Sequence, residues 1–398
     1  MKIRAVTVGL DLPVPRVTAS VFDEVASFLR DATQAFSQAG LEVQTTRIAG
    51  ADLGQTIDAL GDGLKPWAAE TEHATREAGI DYLSIGRIPA RRHAIVRDLV
   101  APLLSAGTVV NVSADLLEGG LPSIAMAAAC ATAVKHLAHS TDQGFGNLRF
   151  AATASCPPNI PFLPAAYHVG GAPRFAIAVQ AADVAVAALS GTGGMSDIED
   201  RLVDAFETAV EPLEASALQL EAESGYPFVG VDLSPAPFPS DDAAIGAAIE
   251  AAGVERFGAP GSLYVAAMLT RAIRRTRIRR SGFSGLMLPV LEDSVLARRM
   301  GECPSRVHEL LLYSAVCGTG LDTVPLAEDI SESELAGIYL DVAALSVALG
   351  GKPLTARLFP VPGASAGDMT GYTFEFFANT RVLAATGAGA GGILARGQ

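Results

Sequence analysis

Five positions in this 398-residue chain set reactive side chains directly after an apolar run. They are Asp232 in FVGVDLSPAPFPSDD, Glu292–Asp293 in SGLMLPVLEDS, Cys317 and Asp322 in YSAVCGTGLDTVP, Asp368 in RLFPVPGASAGDMTGYTFEF, and Asn159, Tyr167 and His168 in SCPPNIPFLPAAYH. In α/β proteins ligands bind beyond the carboxyl ends of parallel strands, so groups at such ends can meet at one mouth. Prolines beside four of the five positions would hold the groups rigid and lower the cost of a preorganised site. Each position also has a plain structural role. A carboxylate after a strand commonly caps the next helix, and Asp in a Gly-containing turn bonds its own backbone.

Taken together, these groups predict acid–base chemistry. A carboxylate crowded by others is raised toward neutrality and can move a proton, which assigns Asp232, Asp322 and His168 catalytic roles. Asn159, Tyr167 and Asp368 would orient substrate. Glu292 and Asp293 could hold a hard divalent cation, Mg or Ca, through oxygen. Cys317 offers a covalent alternative, as a nucleophile whose oxyanion the amides of Gly318 and Gly320 would receive. A buried cysteine acting as a small hydrophobe is the competing structural role.

Other motifs carry less. His136 and His139 share a helical face at a chelating spacing, but they also sit in a last turn, where imidazolium suits the helix dipole. The six arginines of TRAIRRTRIRRSG read as a solvated helix end paired with acids, or as a local anion site. GTGGMSD (191–197) reads as a structural turn. GAGAGGILARGQ (387–398) reads as a flexible tail, because no strand–turn–helix can follow it. No phosphate loop is found, and no nucleotide cofactor is expected.

The elements that would position these groups alternate regularly. Strands are expected at Ile3–Gly9, Val43–Ala49, Tyr82–Ile88, Val109–Ser113, Arg149–Ala154, Arg174–Val179, Phe228–Leu233, Gly285–Leu291, Tyr313–Cys317 and Ala356–Val361. Helices are expected near 21–39, 66–78, 92–105, 122–139, 197–223, 241–253, 262–276 and 331–349. This rhythm predicts an α/β fold with a mainly parallel sheet, and about ten strands without a linker fit one closed β/α barrel spanning 1–398. The net charge of −14 argues against nucleic acid. No apolar run is long enough for a membrane span. Cysteines at 130, 156, 303 and 317, without paired spacing, suit a reducing cytoplasm. Alanine-rich helices leave a homo-oligomer open.

The succession VDLSPAPFPS, VERFGAPGS, SGFSGLMLPVLED, VCGTGLDTVP and RLFPVPGASAGDM, from about Gly230 to Asp368, resembles the bacterial domain of unknown function family 711. PFLPAAYH resembles one branch of that family. The resemblance implies a ten-stranded barrel similar to pyruvate formate-lyase and the glycyl radical enzymes. The nearest match to their radical segment is DMTGY, with Gly371 and Tyr372 but no Arg-Val before them, so the radical machinery is expected to be absent. The expected function is a non-radical hydrolase or lyase acting on a small polar carboxylate or amide in a pocket at one barrel end. The alternatives are a Cys317-dependent hydrolase and a non-catalytic metabolite-binding barrel.

Overall fold

The computed structural model describes all residues except 192–193, 303–306, 386, 388 and 398, together with the side chains of residues 195 and 196. Cys303 and the centre of the 191–197 turn therefore lie outside the described residues.

Nine strands form one sheet: β1 (Lys2–Gly9), β2 (Thr46–Ala49), β3 (Tyr82–Ile88), β4 (Val110–Asp115), β5 (Phe150–Ala154), β6 (Arg174–Gln180), β7 (Phe228–Asp232), β8 (Gly320–Leu326) and β9 (Leu354–Pro360). Their order is β8-β9-β5-β4-β3-β2-β1-β6-β7. The central five are parallel. The outer pairs, β6-β7 and β8-β9, are parallel within themselves and run antiparallel to the centre.

The expected closed ten-stranded barrel, and with it the likeness to pyruvate formate-lyase, is corrected here. The edge strands β7 and β8 do not pair, and the sheet is mostly parallel and open. Two expected strands account for the difference. The stretch 280–291 is irregular and meets the two edges through isolated bridges, Val231 to Arg280 on β7 and Pro289 of Gly285–Leu291 to Asp322 on β8. Its sequence explains this: Pro289 removes a ladder donor, Ser284 sits at φ 39°, and Gly285 lies flat on Gly318 with no room for a Cβ on either. Tyr313–Cys317 closes the helix Val307–Ser314, with the Cys317 amide bonded to the Tyr313 carbonyl, and the strand begins only at Gly320. An apolar run of this length does not distinguish helix from strand by its period.

Alternation along β1 shows how the two faces are used. Val6 and Val8 enter the main core, while Ala5 and Thr7 face the proline-rich loop 155–168. That loop lies against the sheet, fixed by Thr7 Oγ1 donating to the Pro161 carbonyl (2.8 Å) and Ser84 Oγ to the Ala166 carbonyl (2.7 Å). A smaller apolar cluster of Ile160, Phe162, Ala165, Ala236 and Met287 forms around it. The helices Ile124–Ser140 and Glu332–Ala348 feed the main core and start at serine caps, Ser123 and Ser331.

Candidate functional site

A cavity of about 590 Å³ opens at the amino ends of the central five strands, the reverse of the expected rim. Inward-facing residues of the strands and their approaches supply its polar wall: Arg4, Thr45, Arg47, Asn111, Asp322 and Arg357. Six phenylalanines supply the apolar wall: Phe145, Phe162, Phe283, Phe374, Phe376 and Phe377. The last three come from GYTFEFF after β9. This segment is folded back by Asn379 Oδ1 accepting from Thr370 Oγ1 and the Tyr372 amide, both at 2.8 Å, and packs on Phe145 and Phe359.

The centre of the polar wall is an ion cluster. Arg357 Nη2 donates to Glu292 Oε1 at 2.7 Å and Arg357 Nε to Asp322 Oδ1 at 2.6 Å. Arg4 lies 3.7 Å from the other Glu292 oxygen, and its guanidinium sits over Phe376. The two carboxylates hold the Arg357 pKa above its ordinary value although burial opposes this. Arg47 differs. It is buried, it stacks near Tyr82, and among the described residues its side chain donates only from Nε to Thr45 Oγ1. Burial first, then Arg4 and Arg357, bring its pKa down to about 9. Among the described lining residues, Arg4, Arg47, Arg149 and Arg357 face Asp142, Glu292 and Asp322, one positive charge in excess within a chain of net −14.

Of the residues expected from sequence, Glu292 and Asp322 meet in this cavity. The others are placed elsewhere. Asp232 is fully buried and accepts from the Ser234, Phe283 and Ser284 amides and from Ser234 Oγ, stitching the turn after β7 to the irregular segment. Burial raises its pKa despite those bonds. Asp293 accepts from the amides of Ile245, Gly246, Val295 and Leu296, so one carboxylate caps two helices. Burial pushes it up to about 6. With Asp293 committed to amides and Glu292 to arginine, the pair presents no shared oxygen set for a cation. Among the described residues no three His, Cys, Asp or Glu are placed to hold a metal ion.

Asp368 is exposed and accepts from the Ser365 amide in its own turn. Cys317 is fully buried and does not line the cavity. Gly318 packs on Gly285, and Gly320, at φ 97°, packs on the Thr355 backbone. These glycines serve close approach between chain segments.

The proline-rich loop does form cavity wall, through Phe162, Leu163, Pro164 and Ala165. Its polar residues point away. Tyr167 donates to the Cys156 carbonyl (3.1 Å) beneath the Arg87 guanidinium. Asn159, at φ 63°, bonds the Tyr167 carbonyl through its amide. His168 is buried against Gly9 near the carboxyl ends of β1 and β2, 4.0 Å from Asp11. Burial lowers its pKa.

The arginine-rich segment pairs with the helix Met195–Ser224: Arg271 and Arg275 with Glu199, Arg277 with Glu207, and Arg279 with Glu221. His139 pairs with Glu328. Among the described residues no helix is long and apolar enough to cross a membrane. Arg4, Arg47 and Arg357 were not anticipated. The signal for them is an arginine inside a buried strand, which is rarely placed there without a partner or a ligand.

Comparison with known proteins agrees with the resemblance. Residues 1–374 match the family described as Uncharacterised ACR (DUF711). A UPF0210 protein of Pyrobaculum arsenaticum is 30% identical over 405 residues, covering 92% of this chain and 87% of its own. One from Bifidobacterium adolescentis is 24% identical over 406 residues, covering 94% and 88%. One from Methanopyrus kandleri is 32% identical over 254 residues, covering 60% and 54%. These names assign no activity. With the family matched over nearly the whole length, the chain belongs to the DUF711 family.

Proposed function

We propose that this protein is an enzyme that acts by acid–base chemistry on a small carboxylate-bearing metabolite in the cavity, with Glu292 as the group that accepts and returns the proton. The observation that carries this reading is the Glu292–Arg357–Asp322 triad on the cavity wall. A buried ion cluster adds little net stability compared with apolar packing, because desolvation offsets the attraction. Its position on a ligand-sized cavity therefore favours a chemical role.

The triad suits proton movement. Asp322 keeps the Arg357 charge compensated while Glu292 changes state, so taking up a proton does not leave an isolated buried cation. Glu292 would take the proton of an attacking water in hydrolysis, or of a carbon beside a carbonyl in a lyase step. Arg4, 3.7 Å from Glu292, would stabilise negative charge developing on the substrate.

The test is to incubate the full chain with a defined mixture of small carboxylates and follow each by mass spectrometry. Wild type should consume at least one compound that Glu292→Gln, confirmed folded by circular dichroism at the assay temperature, leaves intact. Equal consumption by both proteins would refute the role of Glu292.

A further inference from the structure

We infer that the cavity takes an amphipathic monocarboxylic acid, aryl or branched-alkyl, with its carboxylate on Arg47 and its hydrocarbon among the phenylalanines. This deepens the proposed function by naming the substrate class, and it rests on the cavity being the site. It does not depend on Glu292 being the base.

Three observations converge on this ligand. The first is the state of Arg47. Arg357 is saturated by two carboxylates, and Arg4 is shared between Glu292 and Gln44. Beyond the Nε bond to Thr45, Arg47 donates to no protein acceptor among the described residues, although it is 8% exposed and borders the cavity. A guanidinium whose terminal nitrogens face the cavity without a protein acceptor among the described residues calls for an anion there, and its planar fork matches a carboxylate.

The second is charge. The lining has one cation in excess, so a monoanion neutralises it. A phosphate monoester would bring about two charges beside Glu292 and Asp322 and leave the desolvated cavity negative. The third is the apolar part of the lining, where Phe162, Phe283 and Phe376, with Met287, offer a surface that a small polar metabolite would leave uncovered. Thr319 adds a buried hydroxyl on the cavity lining without a partner among the described residues, which could meet a further polar atom of the ligand. Burial and the neighbouring guanidiniums already disfavour the charged form of Arg47, and a bound carboxylate would relieve that stress.

The experiment is calorimetric titration of the full chain with phenylacetate, 4-methylpentanoate, phenylacetamide and phenyl phosphate. Both acids are expected to bind at least tenfold tighter than the amide and than the phosphate ester. Arg47→Met should weaken the acids at least 30-fold and leave the amide unchanged. Arg47→Lys, which keeps the charge without the fork, should fall between them. Acids that bind no better than the amide, a preference for the phosphate ester, or no acid binding up to about 10 mM would each overturn the inference. The wild-type comparison decides the matter even if an Arg47 variant does not fold. Acid binding at Arg47, with no compound of the carboxylate mixture consumed in the mass-spectrometric test, would sink the acid–base reading and leave this inference standing.

Discussion

Glu292 and Arg357 lie 65 positions apart in the chain, one at the end of an irregular segment and the other inside β9, and their side chains meet at 2.7 Å on the cavity wall. Asp322, from the neighbouring edge strand, completes the contact from the other side. The relationship joins the sheet edge to the segment that runs past it, so it bears on stability as well as chemistry.

Removing the cation alone should be costly. Arg357→Met leaves the buried Asp322 and the partly buried Glu292 without their shared cation, and breaking a buried pair costs at most roughly 3–5 kcal/mol. Adding Glu292→Gln and Asp322→Asn to the same chain should restore most of the loss in urea denaturation. If the triple variant is no more stable than the single one, the three groups do not act as a compensated unit.

Asp293 should prove structural. Asp293→Ala strands four buried amides at two helix starts, a loss of about 3 kcal/mol or more. Phenylacetate affinity in the folded fraction should stay within about twofold, below 0.4 kcal/mol by the conversion of affinity to free energy. A large affinity change without loss of stability would return Asp293 to the site.

The described thiols should be inert in the native state. Cys130, Cys156 and Cys317 are buried. Burial raises the first well above the ordinary thiol range and the second to about 12. Since the thiolate is the reactive species, iodoacetamide followed by peptide mapping should label these three only after denaturation. Native labelling of Cys317 that phenylacetate prevents would revive covalent chemistry there.

His168 should make stability depend on pH. Its folded pKa lies below the ordinary value of about 6.5, so the unfolded chain binds the proton more readily. Stability then rises with pH through that window and is lost as pH falls below about 6.5. Melting temperature between pH 7.5 and 5.5 should drop more in wild type than in His168→Gln, with acid binding at pH 7.5 unaltered. Identical pH profiles would show that His168 carries no such linkage.

The sequence by itself determined the alternating α/β elements, the family, and the presence of acids after apolar runs. Tyr82–Ile88 follows from a short apolar run and Ser262–Arg275 from a local helical period. The tertiary structure alone decided which acids share a space. Asp232 and Asp293 are as well placed in sequence as Glu292, yet each turns to amides brought from 47 to 52 positions away. Arg4 and Arg47 belong to adjacent strands, whereas the Arg357 strand is separated from them in the sheet by β3, β4 and β5; only the folded sheet brings all three to one cavity, and nothing local distinguishes the face each would take. The open edge was hidden for the same reason. Whether Gly285–Leu291 joins a ladder depends on its close approach to Gly318, a contact between chain segments that no window of sequence contains.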